Sequence, residues 1–227
     1  MLDGGRMGRL PLYLVAPGPT SRVRRLHEKG SYDRSVIDAI LDSMPVAHIG
    51  HIVDGFPIVT PTLQWREGDR VYWHGSSASR MQKRATAAQV CMTVTLLDGM
   101  VLARSGLEHS VNYRSVMVFG QAELVEGAPA KEAHLRTMME QMFPGRWEAL
   151  RPITEQELKA TRILSLPLTE ASAKISAGPP TDPPQDQGWP VWAGVLPIRL
   201  AVDSPEAAPD LAQRLDEPHY ARTYRIG

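Results

Sequence analysis

VYWHGSSASRMQKR, from Val71 to Arg84, changes character three times within fourteen residues. An apolar, aromatic strand pattern ends at His74, a turn of small residues follows at Gly75 to Ser79, and a helical pattern opens with Arg80, Lys83 and Arg84 on its first turns. A helix N-terminus presents unpaired backbone N–H groups and a partial positive charge, so hydroxyls, glycine and basic side chains gathered there suit a phosphate. A serine-capped surface helix with a solvated basic face is the other reading.

Upstream, YDRSVIDAILDSM reads as an amphipathic helix with Asp33 as N-cap and Ile37, Ile40, Leu41 and Met44 on one face, closed by Pro45. The period then changes to two. VAHIGHIV, the Asp54-Gly55 turn and FPIVTPTLQW form a hairpin. Pro57 and Pro61 share parity, so their missing N–H groups face one side, which is a sheet edge, a bulge or a ligand. Downstream, a helix over 78–88 precedes VCMTVTLL, where Cys91, Thr93 and Thr95 alternate with Val90, Met92 and Val94. Asp98-Gly99 is expected to turn the chain into MVLARS, and RSVMVFGQAELV follows, apolar on both faces from Val116 to Phe119 like a central strand. Ala128 to Phe143 is a helix ended by Pro144-Gly145, Thr154 and Glu157 fit a capping box, and RILSLPL is a long strand. VWAGVLPI is a terminal strand or a covering segment.

The expected organisation is an arm over residues 1–31, one domain over 32–200 with a proline-rich loop at 176–190, and a tail over 201–227. Strands joined mainly by hairpins argue against a Rossmann sheet, and no GxGxxG or GxxxxGK[ST] is present. The fold class is α+β, mostly β: a small antiparallel barrel of six or seven strands with flanking helices. Lys plus Arg (25) and Asp plus Glu (25) cancel, which argues against nucleic acid and against an anionic membrane surface as partners. A single cysteine, Cys91, suits a reducing cytoplasm, and the short apolar run Leu10 to Ala16 contains Pro11 and is no membrane span.

Taken in order, the DG turn, the strand with TPT, the strand ending YWHG, the SSASR helix start, VTLLDG, HSVNYRSV and FGQAELV resemble the FMN-binding split-barrel family, that of pyridoxamine 5'-phosphate oxidase and the nitroimidazole-reductase-like flavoproteins. The resemblance spans about residues 32 to 200. It implies a split barrel with FMN as cofactor, bound at the interface of a homodimer. The flavin ring would lie beside Val59, Thr60, Pro61 and Thr62, with His74 next to it. Ser76, Ser79 and Arg80 would hold the phosphate, assisted by Lys83, while Arg114 and Ser115 would reach the flavin from the partner subunit. The activity implied is that of an FMN-dependent oxidoreductase acting on a small molecule, with a reduced nicotinamide as electron donor and a separate acceptor. Pyridoxamine phosphate itself is not the expected substrate, because Arg214, Leu215 and His219 do not reproduce the spacing of the segment that grips pyridoxal phosphate. A flavin-binding carrier or sensor without turnover is the alternative, and a deazaflavin or haem in the same barrel is the second.

Single residues keep plainer readings open. His48 and His51 are three apart and point to opposite faces of a strand, so they cannot ligate one ion together. No zinc or haem ligand pattern is present, and His74 is the first histidine to test for haem. Cys91 reads as a small buried hydrophobe. Ser105 and Ser110 have no nucleophile elbow around them. Glu170 and Lys174 read as a surface helix pair, with the resemblance offering Lys174 a place near the flavin edge. Trp189 and Trp192 pack the terminal segment or lid the site.

Overall fold

The computed structural model describes residues 18–86, 88–211 and 215–227, leaving out the side chains of Arg80 and Met81. In chain order its elements are β1 (Gly30–Ser31), α1 (Arg34–Ser43), β2 (Val46–Val53), β3 (Phe56–Glu67), β4 (Arg70–Ser76), α2 (Arg80–Ala85), β5 (Gln89–Leu102) and β6 (Ser110–Gln121). Then come β7 (Glu123–Leu124), α3 (Ala128–Met142), α4 (Arg146–Ala149), α5 (Glu155–Ala160), β8 (Thr161–Pro167), β9 (Ala171–Ser176), β10 (Gly194–Pro197) and α6 (His219–Thr223). The sheet order is β1-β9-β6-β5-β2-β3-β4-β8-β7, with β10 on the free side of β5, and the named strands pair antiparallel. Seven strands, β2 to β6, β8 and β9, run six residues or longer, as the expected mostly β barrel requires.

Two long strands change partners midway, and this splits the barrel. β3 pairs with β2 over Phe56–Leu63 and with β4 over Gln64–Glu67. β5 pairs with β2 only at Cys91 to Thr93 and with β10 at Gly99 to Leu102, while β6 accompanies nearly its whole length. Period-two alternation then sends one face of each strand inward. Ala47, Ile49, Val71, Trp73, Met92, Val94, Val116 and Val118 meet there, and α1 adds Ile37, Ile40 and Leu41. Each fully buried side chain of this size contributes about 1.5–3 kcal/mol. The Asp33 carboxylate accepts from the Ser35 N–H and caps α1, as its position predicts. On the other face of β3 and β4, Trp65 and Tyr72 form a second cluster under Leu135 and Met138 of α3 and Leu158 of α5. The capping box at Thr154 and Glu157 starts α5.

Several expectations change. Asp98-Gly99 makes no turn: β5 runs straight through it with a register shift between Leu97 and Gly99, and Arg114 of β6 grips the Asp98 carboxylate at 2.8 and 3.0 Å. Asp-Gly turns a chain only where neither strand finds a longer partner, and β6 supplies one. LTEASAK is no helix; Leu168–Glu170 is a 3-10 turn and Lys174 lies in β9, because β6 and β1 offer backbone partners on both sides. Met117 is exposed between buried Val116 and Val118, so β6 is buried on one face only there. The helix expected over 78–88 spans Arg80–Ala85. The described part of the N-terminal arm packs: Val23 N–H donates to the Tyr32 hydroxyl at 2.7 Å, and β1 joins β9. Asp182 of the proline-rich loop holds Arg104 through its backbone N–H and its guanidinium, at 2.7 and 2.6 Å. Among the described tail residues no helix or strand precedes α6, and Tyr220 and Tyr224 then dock on Phe143. Leu10 to Ala16 and Arg214 lie outside the described residues.

Candidate functional site

The unpaired edge of β3 defines the site. Gln64 N–H donates to Pro45 O at 2.8 Å on the β2 side. Backbone groups alternate sides along a strand, so the N–H groups of Pro57, Val59 and Pro61 positions face away from β2. Among the described residues no strand pairs with that side over Phe56–Leu63. The edge therefore offers one donor, Val59 N–H, between two prolines that offer none, together with their outward carbonyls. The proline parity in the sequence signals this directly. Val59 is 64% exposed. On the same outer face, Gly50 lies opposite both Val59 and Cys91, and Cys91 lies opposite Phe119. The next row is Pro61, His48, Thr93 and Met117.

The cradle begins where β4 ends. Thr62 Oγ1 reaches His74 O at 3.4 Å, which ties the expected ring strand to the expected phosphate turn. His74 lies in the second aromatic cluster, its ring 6.1 Å from Trp65, with Nδ1 buried and unpaired. Burial lowers its pKa and holds the imidazole neutral. Ser76 Oγ accepts from Ala78 N–H at 3.2 Å, and Ser79 is the N-cap of α2, accepting from Gln82 N–H at 3.5 Å. Both serines thus shape the turn as well as present hydroxyls beside it. Arg80 opens α2, with its side chain outside the described residues. A Cβ on Gly75 would come within 2.5 Å of Gln82 Nε2, so only glycine lets the buried Gln82 side chain lie against this turn.

Two cations near α2 have no carboxylate partner among the described residues: exposed Lys83 in the helix itself, and Arg162, which stands opposite Gly75 on β8 and donates to Thr86 Oγ1, at the C-cap of α2, at 3.4 Å. Arg84, by contrast, pairs with Asp54 at 3.4 Å. Arg162 escaped the sequence reading because its place depends on the register between β4 and β8, which sets Gly75 opposite a residue far along the chain. Arg114 and Ser115 do not join this group within one chain; Arg114 is held by Asp98, and Ser115 Oγ donates to Lys174 O at 3.3 Å. Lys174 Nζ turns to Arg25 O.

A cavity of about 470 Å³ opens where β2 and β5 part beyond Gly50, lined by Ile52, Ile58, Val59, Val90 and Phe119 together with His51. His51 is 5% exposed, and neither ring nitrogen has a hydrogen-bond partner. Its parity with Ala47 and Ile49 places it inward, away from His48. Desolvation lowers its pKa. Cys91 lines the same cavity and burial raises its pKa, which favours the thiol. Among the described residues no three His, Cys, Asp or Glu side chains cluster as a metal site, and no helix is long and apolar enough to cross a membrane.

An antiparallel split barrel with an open prolyl edge beside a basic, hydroxyl-lined helix start is the architecture of a flavin-binding protein. The chain belongs to the pyridoxamine 5'-phosphate oxidase family, whose model matches residues 33–175. Among solved structures it is 45% identical to the flavocytochrome Anf3 from Azotobacter vinelandii, with a TM-score of 0.91 over 93% of this chain and 99% of that one. It is 35% identical to the FAD- and haem-binding protein from Mycobacterium smegmatis, with a TM-score of 0.82 over 87% of this chain and 98% of the other. A candidate 5-nitroimidazole antibiotic resistance protein from Bacteroides thetaiotaomicron shares the fold at 21% identity and a TM-score of 0.53, over 64% and 86% of the two chains. No curated protein matches the chain.

Proposed function

We propose that this protein is a homodimeric flavin-dependent oxidoreductase that carries haem as a second cofactor. The observation that carries the flavin part is the continuity of open edge, Thr62–His74 contact and cationic cradle along one side of β3 and β4. In this arrangement Val59 N–H and the outward carbonyls would meet polar atoms of the ring, while the serine turn, with Lys83 and Arg162 nearby, would receive phosphate. Arg80 would join them from the first position of α2. A flavin so held supplies hydride or single-electron transfer, and the chain's own residues orient it and limit access to it.

FAD is favoured over the FMN that the family resemblance implies, because the relative from Mycobacterium smegmatis, similar along nearly its whole length, binds FAD and haem. The haem rests on that likeness and on the likeness to a flavocytochrome. Dimerisation is supported by the apolar outer face, where Val46, Val59, Leu97 and Met117 are exposed on neighbouring strands, and by exposed Trp189 and Trp192 beside β10. Arg114 and Ser115 of the second subunit would then approach the flavin.

The test is the absorption spectrum of the purified protein with mass identification of the released chromophores. Flavin and haem near one each per chain, with FAD as the flavin, are expected. Protein that is colourless and takes up neither cofactor sinks the reading; FMN in place of FAD corrects the nucleotide. Rapid anaerobic reduction followed by reoxidation with a particular acceptor marks an enzyme, whereas slow reduction by every donor marks a carrier.

A further inference from the structure

We infer that the cavity at the split between β2 and β5 is a binding site for a small, uncharged, planar ring compound. The inference stands on the cavity itself and does not rest on the flavin reading. A row of four residues shapes the floor: Val59, Gly50, Cys91 and Phe119 stand side by side on the outer face of β3, β2, β5 and β6. Neighbouring strands lie about 4.8 Å apart, so the bulky ends of this row are about 14 Å from each other. Between them glycine and cysteine leave a trough. The space over it, about 470 Å³, lies within the ~300–1,000 Å³ range of ligand pockets.

Gly50 keeps the trough open, and the fold does not require a glycine there. Its φ lies outside the left-handed region. A Cβ at this position would meet Cys91 O at 3.6 Å and Val59 Cγ2 at 3.8 Å, which are ordinary van der Waals distances. Glycine weakens a strand interior, so a glycine that neither backbone nor packing demands marks a place where something else comes close. β2 loses β5 just after Gly50 but keeps β3, and the floor therefore runs on into a gap. Ile52 and Pro57 wall the gap on one side, and Val90 and Phe119 on the other.

Among the described residues the lining presents no free charge. Glu170 is its one carboxylate, and Ser21 N–H of the N-terminal arm donates to Glu170 Oε2 at 3.2 Å, closing the far side. A Cβ on Gly18 would overlap that carboxylate, so glycine lets the arm lie this close. Burial favours the protonated Cys91 thiol, and desolvation favours neutral His51, whose ring nitrogens are both buried. An ionic ligand would give up its hydration here without a counter-charge. Exposed Thr20 and Gln89 add neutral hydrogen-bonding groups to the lining, which suits one hydroxyl or carbonyl on the ring.

The experiment is calorimetric titration of the full chain, as purified, with naphthol, and with naphthoate and naphthylmethylamine as charged compounds built on the same ring. Alkylation by N-ethylmaleimide, read by mass spectrometry, adds a second readout, because Cys91 is the single cysteine and lines the trough. Expected are saturable binding of about one naphthol per chain, about tenfold or more weaker binding of both charged rings, and slower alkylation of Cys91 when naphthol is present. Gly50→Val is expected to keep the circular dichroism and Tm of the parent while weakening naphthol about tenfold or more, since its side chain fills the floor. Should valine unfold the strand, protection of Cys91 in the parent still decides. Absence of saturable binding, unprotected Cys91, equal affinity for the charged rings, or parent-like affinity in folded G50V each overturns the site. Cys91 that is protected without naphthol in a dimer, and becomes reactive on dilution to monomer, overturns it in favour of a second copy of the chain seated in the trough.

Discussion

Replacing Gln64 with leucine isolates two hydrogen bonds that fasten helix α1 to the barrel. Gln64 Nε2 donates to Leu41 O at 2.7 Å and to Met44 O at 2.6 Å, carbonyls at the C-terminal end of α1 that the helix itself cannot satisfy. The side chain is 2% exposed, so water does not replace the lost donor. Leaving two acceptors unmet costs about 1–3 kcal/mol each. Part of this is returned, because Gln64 Oε1 is itself buried without a partner and disappears in the variant, a relief of about 1–2 kcal/mol. The net expected loss is about 2–3 kcal/mol, which lowers the Tm by about 5–10 °C in a chain of this length. Urea unfolding followed by tryptophan fluorescence reads it. Gln64→Glu adds a signed control: only the protonated acid can donate to these carbonyls, so its folded-state pKa lies above the unfolded value. That variant is expected to lose stability as pH rises from about 4 toward 7. A loss below about 0.5 kcal/mol in Q64L, or a Q64E variant that gains stability over that pH range, would refute the reasoning.

Two further outcomes follow from the site and its supports. Arg162→Ala is expected to weaken flavin binding about tenfold or more, since a charge-assisted contact contributes about 1.5–3 kcal/mol, with unfolding unchanged within about 1 kcal/mol; fluorescence titration of the flavin against the parent checks it, and unchanged affinity would move the phosphate away from the β4–α2 turn. Glu157 has its pKa lowered to about 2 by the Arg151 guanidinium and by the Thr154 backbone and hydroxyl. Its contribution is therefore fully present above the ordinary glutamate range and lost as pH falls from about 4.5 toward 2. Carboxyl NMR should place the titration there, and Glu157→Gln should flatten the acid limb of the stability curve over that window.

The local code of this chain is strong enough that much of the barrel and part of the site are legible without coordinates. Asp33 and the Ile37, Ile40, Leu41 face specify α1, the Thr154 and Glu157 pair specifies the start of α5, and Asp54-Gly55 specifies the β2–β3 hairpin, because each depends on residues within a turn or two of one another. The prolines of β3 mark its open edge for the same reason: a missing N–H is a property of the residue, wherever the strand lies. Asp98-Gly99 fails as a turn signal because the competing force is long-range, the continuous pairing of β5 with β6 and the grip of Arg114. Arg162 beside Gly75, and His51 at the place where β2 outruns β5, are likewise decided only by register between distant strands. The sequence by itself determined α1, the β2–β3 hairpin, the start of α5 and the serine turn before α2, since those follow from short-range sterics and periodicity. Only the tertiary structure decided which strand edge stays open, which cations reach the turn and which histidine is left buried without a partner, since those depend on how the sheet parts as it closes.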